Sequence, residues 1–170
     1  MTDTARWRLV DFVLAELVVL ALLWSMAVAI GGASALPWKT EAERVGGTNR
    51  DVAAAAERFV KIFLDVDYRH VDADAKRVIA VSTSPFRGQF AVNATDLRIA
   101  VVGAQSVTTG TVRAAGVERA DSKAARVLVA ADAVVRSRLA KSPRRSHYRF
   151  VVSLVNIDGR WLVSNFAEER

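Results

Sequence analysis

The chain has 170 residues, 52% hydrophobic and 25% charged, with no Cys and a formal charge of +6. This length suits one domain of about 120 residues behind an N-terminal segment, and that is long enough to bury a core without staples. The lack of Cys excludes a disulfide framework and thiolate metal sites but identifies no compartment. After Trp38 there are 22 Lys and Arg against 15 Asp and Glu, a balance of +7 that suits an anionic lipid surface or an acidic partner protein. Without aromatic and basic residues interleaved, and with a membrane anchor, nucleic acid is not the expected partner.

The N-terminal feature is Leu17–Trp38, a run of 22 residues without a charge. As a helix rising about 1.5 Å per residue it reaches roughly 33 Å, enough for a bilayer core of about 30 Å. The predicted organisation is a cytoplasmic tail (1–8), one transmembrane helix (9–38), a linker (39–48) and an extracytoplasmic domain (49–170). Arg6 and Arg8 precede the run, so the positive-inside rule keeps the N-terminus in the cytoplasm and places the C-terminal domain in the periplasm or its equivalent. Lys39 and Arg44 on the far side oppose that vote. Ala33-Ser34-Ala35 has the small-residue spacing of a signal-peptidase site. The preceding segment is long and carries Asp3, Asp11 and Glu16, which favours an uncleaved anchor in the inner membrane. Glu16 has two readings: a headgroup-level residue below the span, or a buried acid that needs a donor from a partner helix.

Leu36-Pro37-Trp38 closes the span, and Gly46-Gly47-Thr48-Asn49 reads as a break. Val52, Ala56, Phe59, Val60 and Phe63 follow helical spacing, predicting an amphipathic helix over Asp51–Val66. Asp72 or Asp74 is expected to cap a second helix bearing Ala75, Val78 and Ile79. Ser84-Pro85 predicts a third, with Ser as N-cap, running to about Val102 with Phe86, Phe90, Leu97 and Val101 inward. Within it, Asn93-Ala94-Thr95 matches a glycosylation triplet by chance.

Past Gly103 the pattern turns β, with four strands expected at about Ser106–Glu118, Ala124–Leu139, His147–Ile157 and Trp161–Phe166. Tyr148, Phe150, Val152 and Leu154 alternate onto one face, and Asn156-Ile157-Asp158-Gly159 signals a hairpin. The expected class is α+β, with three helices packed on one face of a curved four-stranded antiparallel sheet.

A catalytic constellation is not evident. His70 and His147 lie in different halves without ligands at metal-site spacing, and no glycine loop suits a phosphate. Asp132 stands midway along an apolar strand. Facing inward it would be a desolvated general base; facing outward it would pair with Arg113 or Arg149, the favoured reading. The densest charge feature is Arg136, Arg138, Lys141, Arg144, Arg145 and Arg149, six cations in 14 residues with no acid. They form either a patch for anionic lipid or an acidic partner, or a solvated hairpin end.

Several stretches carry a resemblance. Asp67-Tyr68-Arg69, Ser84-Pro85-Phe86-Arg87, Val107-Thr108-Thr109-Gly110-Thr111-Val112 and Asp158-Gly159-Arg160-Trp161-Leu162-Val163 are similar to motifs of the Mce-associated membrane proteins of actinobacteria. The resemblance covers nearly the whole chain from the span to Phe166. It implies a cone-shaped fold like that of nuclear transport factor 2 and scytalone dehydratase. It also implies a non-catalytic accessory subunit, without cofactors, for Mce machinery that imports fatty acids or sterols; its partners would be Mce subunits, the membrane and lipid. No catalytic residues come with it. The rival readings are a bitopic assembly component of a secretion machine, whose periplasmic type IV core subunit shares this layout, and a ligand carrier or isomerase using the cone.

Overall fold

The structure, a computed structural model, describes residues 45–169, with side chains from Asn49 onward. Tail 1–8, the apolar run Leu17–Trp38, Glu16 and linker residues 39–44 lie outside the described residues. Among the described residues no helix is long and apolar enough to cross a membrane.

The first helix, α1, spans Val45–Leu64. It begins six residues before the expected start and takes in Gly46-Gly47-Thr48-Asn49, so the expected break is helical. Two glycines cost a helix about 1 kcal/mol each, a local preference that the packed turns beyond them can outweigh. Val52, Ala56, Phe59 and Val60 are buried at the expected spacing. The helix stops at Leu64, two residues short of the expected end, because the chain turns extended at once. Val66–Asp67 forms β1, pairing with Thr108 and Val107.

At β1 the Asp67 carboxylate accepts hydrogen bonds from the Arg69 backbone N–H at 2.9 Å and from its guanidinium Nε, also at 2.9 Å. These contacts, the guanidinium foremost, lower its pKa from 3.8 to about 2. A carboxyl depressed on folding stabilises the fold above its unfolded pKa and loses that contribution as pH falls. The urea midpoint of the wild type should therefore drop between pH 3.8 and about 2. In Asp67→Asn that part of the acid loss should be absent; an unchanged pH profile would contradict it.

Helix α2, Val71–Ala80, is entered through His70, which makes no side-chain cap bond. Asp72 and Asp74 stand in its first turn, and neither is the expected cap. Asp72 pairs with Arg98 at 3.2 Å, whereas Asp74 turns inward. At the far end, the Ser82 hydroxyl donates to the Val78 carbonyl at 2.6 Å. The Thr83 N–H donates to the Val163 carbonyl at 2.8 Å, and the Val163 N–H to that of Val81 at 3.0 Å. This parallel bridge ties the helical half of the chain to its last strand.

Helix α3 spans Phe86–Gly103 with Pro85, not Ser84, at the N-cap and no side-chain cap bond. Ser84 stands one residue too early for its hydroxyl to serve the first turn. Phe86 and Phe90 enter the core. Leu97 and Val101, expected with them, are only half-buried.

The second half is a meander of β2 (Val107–Ala120), β3 (Ala124–Arg136), β4 (Arg144–Ile157) and β5 (Arg160–Glu168). With β1 it makes one antiparallel sheet of five strands in sequence order, one more than expected. The register shifts at Val112/Ala114, Val117/Arg119 and Ser153/Leu154, where bulges bend strands and strengthen twist. Asp121 stabilises the β2–β3 turn by accepting from the Lys123 and Ala124 N–H groups at 2.7 and 2.9 Å. Asp158-Gly159 closes the β4–β5 hairpin with positive φ at both residues, 51° and 79°, as a type I′ turn requires.

Alternation puts Val127, Val129, Ala131 and Ala133 of β3 and Phe150, Val152 and Leu154 of β4 on the buried face. Six of the seven Phe form a single cluster: Phe59, Phe63, Phe86, Phe90, Phe150 and Phe166. Two helices and two strands meet there.

Candidate functional site

Asp132 faces away from the core, on the face opposite Ala131 and Ala133. His147 is its direct cross-strand partner, with Nδ1 2.6 Å from Oδ1, and the Arg113 Nε donates to Oδ2 at 2.7 Å. The outward alternative therefore holds, with Arg113 rather than Arg149. The imidazole and then the guanidinium hold the carboxyl below its usual range. A general base needs a raised pKa, so this arrangement is an ion-pair cluster on the sheet surface.

Five of the six cations of 136–149 lie at the β3–β4 end of the sheet, and Arg149 lies five residues further along β4, opposite Ala130. Arg136 ends β3, Arg138 and Lys141 lie in the connecting loop, and Arg144, Arg145 and Arg149 lie on β4. All six are exposed. The loop is fixed to the end of α3: the Arg138 N–H and the Ser137 hydroxyl both donate to the Ala104 carbonyl at 3.0 Å.

Between α2, α3 and the sheet lies a cavity of about 220 Å³. Its lining includes Phe63, Phe90, Val101, Ser106, Val135 and Phe150. The lining is almost wholly apolar. Asp74 is the one titratable carboxylate on it, only 5% exposed. Its Oδ2 accepts from the Asp67 N–H at 2.8 Å and its Oδ1 pairs with Arg77 at 2.8 Å. The charge is thus already satisfied from the polar side. The sequence offers Asp72 or Asp74 as the cap; the spacing of Asp74, three after Val71 and four before Val78, is the signal that it shares their inward face.

Asp74→Ala should cost about 2 kcal/mol, since it leaves a part-buried N–H without an acceptor and Arg77 without its counter-charge. Asp74→Asn keeps an acceptor and should cost less. Urea denaturation of both variants separates the hydrogen bond from the charge.

Asn93, the first residue of the glycosylation triplet, is half-buried on the cavity wall, with its amide donating to the Gln89 carbonyl at 2.8 Å. Among the described residues no group of three His, Cys, Asp or Glu side chains could hold a metal ion.

The family model described as "Uncharacterized protein Rv1363c/MT1408-like" matches residues 13–167. The chain belongs to that family. A relative from Mycobacterium tuberculosis (strain ATCC 25618 / H37Rv), "Uncharacterized protein Rv1363c", is 32% identical over 112 residues. That match covers 66% of this chain but only 43% of the relative, so this chain corresponds to less than half of that protein. Among solved structures, the periplasmic domain of DotI is similar at TM-score 0.62 and 12% identity, over 74% of this chain and 98% of that one. An IcmL-like type IV secretion system protein of Legionella pneumophila is similar at TM-score 0.61 and 11% identity, over 74% and 94%. At such identities the likeness is one of fold: a curled antiparallel sheet with three helices.

Proposed function

We propose that this chain is a bitopic, non-catalytic assembly subunit of a protein machine in the cell envelope, with the Leu17–Trp38 run in the membrane and the domain on its outer side. The observation that carries the reading is the combination of that run with a following domain whose fold matches nearly the full length of a periplasmic domain of DotI. This likeness favours a secretion-type assembly over Mce lipid import. The Mce reading keeps the support of its sequence motifs, from Asp67-Tyr68-Arg69 through Asp158-Gly159-Arg160-Trp161. Arg136, Arg138, Lys141, Arg144, Arg145 and Arg149 supply the face toward an acidic partner or anionic headgroups, and Glu16 a contact within the membrane.

The test is isolation of the tagged full chain from native membranes in mild detergent. A reproducible complex with other envelope proteins is expected, and its composition separates secretion from lipid import. Replacing Arg138, Arg145 and Arg149 with Glu should reduce recovery of the partners while leaving thermal unfolding of the domain unchanged. Recovery of the wild-type chain alone, with envelope complexes intact in the same extract, would overturn the reading.

A further inference from the structure

The cavity between α2, α3 and the sheet is bounded by side chains that carry almost no polarity. No Lys, Arg or His lines it, and its one carboxylate, Asp74, is committed to Arg77 and the Asp67 N–H. Four aromatic residues stand in the lining, Phe63, Phe90, Tyr148 and Phe150, with the last two rings stacked at 5.3 Å. Ala75 on α2 and Ala133 on β3 leave room, because each ends at its β carbon. Leu97 and Val101 follow from the same geometry. Their spacing from Phe90 points them inward, yet both are only half-buried, since they border this space rather than packed side chains. Ala75, Val135 and Tyr148 are half-buried too, so solvent reaches the wall and a small molecule can enter without unfolding of the domain.

We infer that this cavity binds an uncharged, hydrocarbon-rich small molecule of about ten carbons. Size sets the first limit. A cavity of about 150 Å³ takes one benzene ring, so about 220 Å³ takes roughly two fused rings. Charge sets the second, because an ionised group would lose hydration against a wall that offers no free counter-charge. The residues just before α1, Lys39-Thr40-Glu41-Ala42-Glu43-Arg44, carry four charges in six and are excluded as occupants on the same ground. Affinity comes from the apolar area removed from water, and the lining rings favour a flat partner that they can meet edge or face. This site is independent of the assembly role, because complex recovery tests one and ligand binding the other.

The experiment is equilibrium binding of radiolabelled naphthalene at neutral pH to the full chain in lipid nanodiscs, with empty discs giving the lipid background. One saturable site per chain is expected above that background. Unlabelled 2-naphthoate, the same rings bearing a carboxylate, should compete at least about ten-fold more weakly than unlabelled naphthalene. Ala75→Leu adds an isopropyl group within the chamber and should weaken naphthalene by about ten-fold or more. The same variant should raise the unfolding temperature by about 3 °C, because the added carbons gain contacts with the walls. A side chain that was merely forced into packed space would lower it. Val101→Phe fills the chamber from α3 and serves if Ala75→Leu does not fold, and competition on the wild type decides if neither does. Absence of saturable naphthalene binding would overturn the proposal. So would 2-naphthoate competing as well as naphthalene, or unaltered affinity in a folded filling variant.

Discussion

Phe166→Ala should remove a large share of the domain's stability, a loss of about 3–5 kcal/mol by urea denaturation. Phe166 is 1% exposed, and its ring lies 4.6 Å from that of Phe63, 4.7 Å from Phe150, 5.0 Å from Phe59 and 6.0 Å from Phe86. It comes from the last strand and touches rings on α1, α3 and β4. Truncation therefore opens a cavity at the junction of four elements, none of which can collapse into it alone. Domains of this size are stable by only about 5–15 kcal/mol, so a substantial unfolded population follows. Phe166→Leu retains most of the volume and should lose about half as much or less. Equal losses for Ala and Leu would show that ring geometry, not filled space, is what matters.

Gly110→Ala should destabilise by about 3 kcal/mol, far more than a methyl group on a strand ordinarily costs. A Cβ at position 110 would lie 2.4 Å from the Cβ of Leu64. Leu64 is the last residue of α1 and is buried, and the following Asp65 accepts the Gly110 N–H at 2.8 Å. The base of the Leu64 side chain thus lies directly against Gly110, and relief requires moving the helix end or β2 and breaking that bond. The double variant Gly110→Ala, Leu64→Ala tests the mechanism, since it shortens Leu64 but leaves both β carbons in place. It should not recover the stability of Leu64→Ala alone. Recovery would mean that the outer atoms of Leu64 are the obstacle.

Gly110 also marks where sequence reading stopped. The motif Val107-Thr108-Thr109-Gly110-Thr111-Val112 is legible as a strand, but nothing local names Leu64 as the reason for its glycine. The sheet shows the same division. Alternation over Tyr148–Leu154 assigned the buried face, and β4 carries it as expected. By contrast, β1 is two residues long, too short for any pattern, and exists because Asp67 and Val66 meet Val107 and Thr108 across forty residues of chain. The candidate sites divide likewise. The cations of 136–149 are evident as a run, whereas the sequence does not separate Asp74 from Asp72 as a cap, because an acid in a first turn ordinarily serves the helix end.

The sequence by itself determined the element types and their order, the inward faces of α1 and β4, the Asp158-Gly159 turn and the uncharged run at 17–38. Each of these depends on neighbours within a turn or two of chain, where side-chain periodicity and backbone preference act directly. Only the tertiary structure decided the fifth strand, the contact of Gly110 with Leu64, the outward pairing of Asp132 with His147 and Arg113, and the cavity between α2, α3 and the sheet. Those arise where distant segments meet, and the space left between them depends on how whole helices and strands pack, which no local pattern encodes.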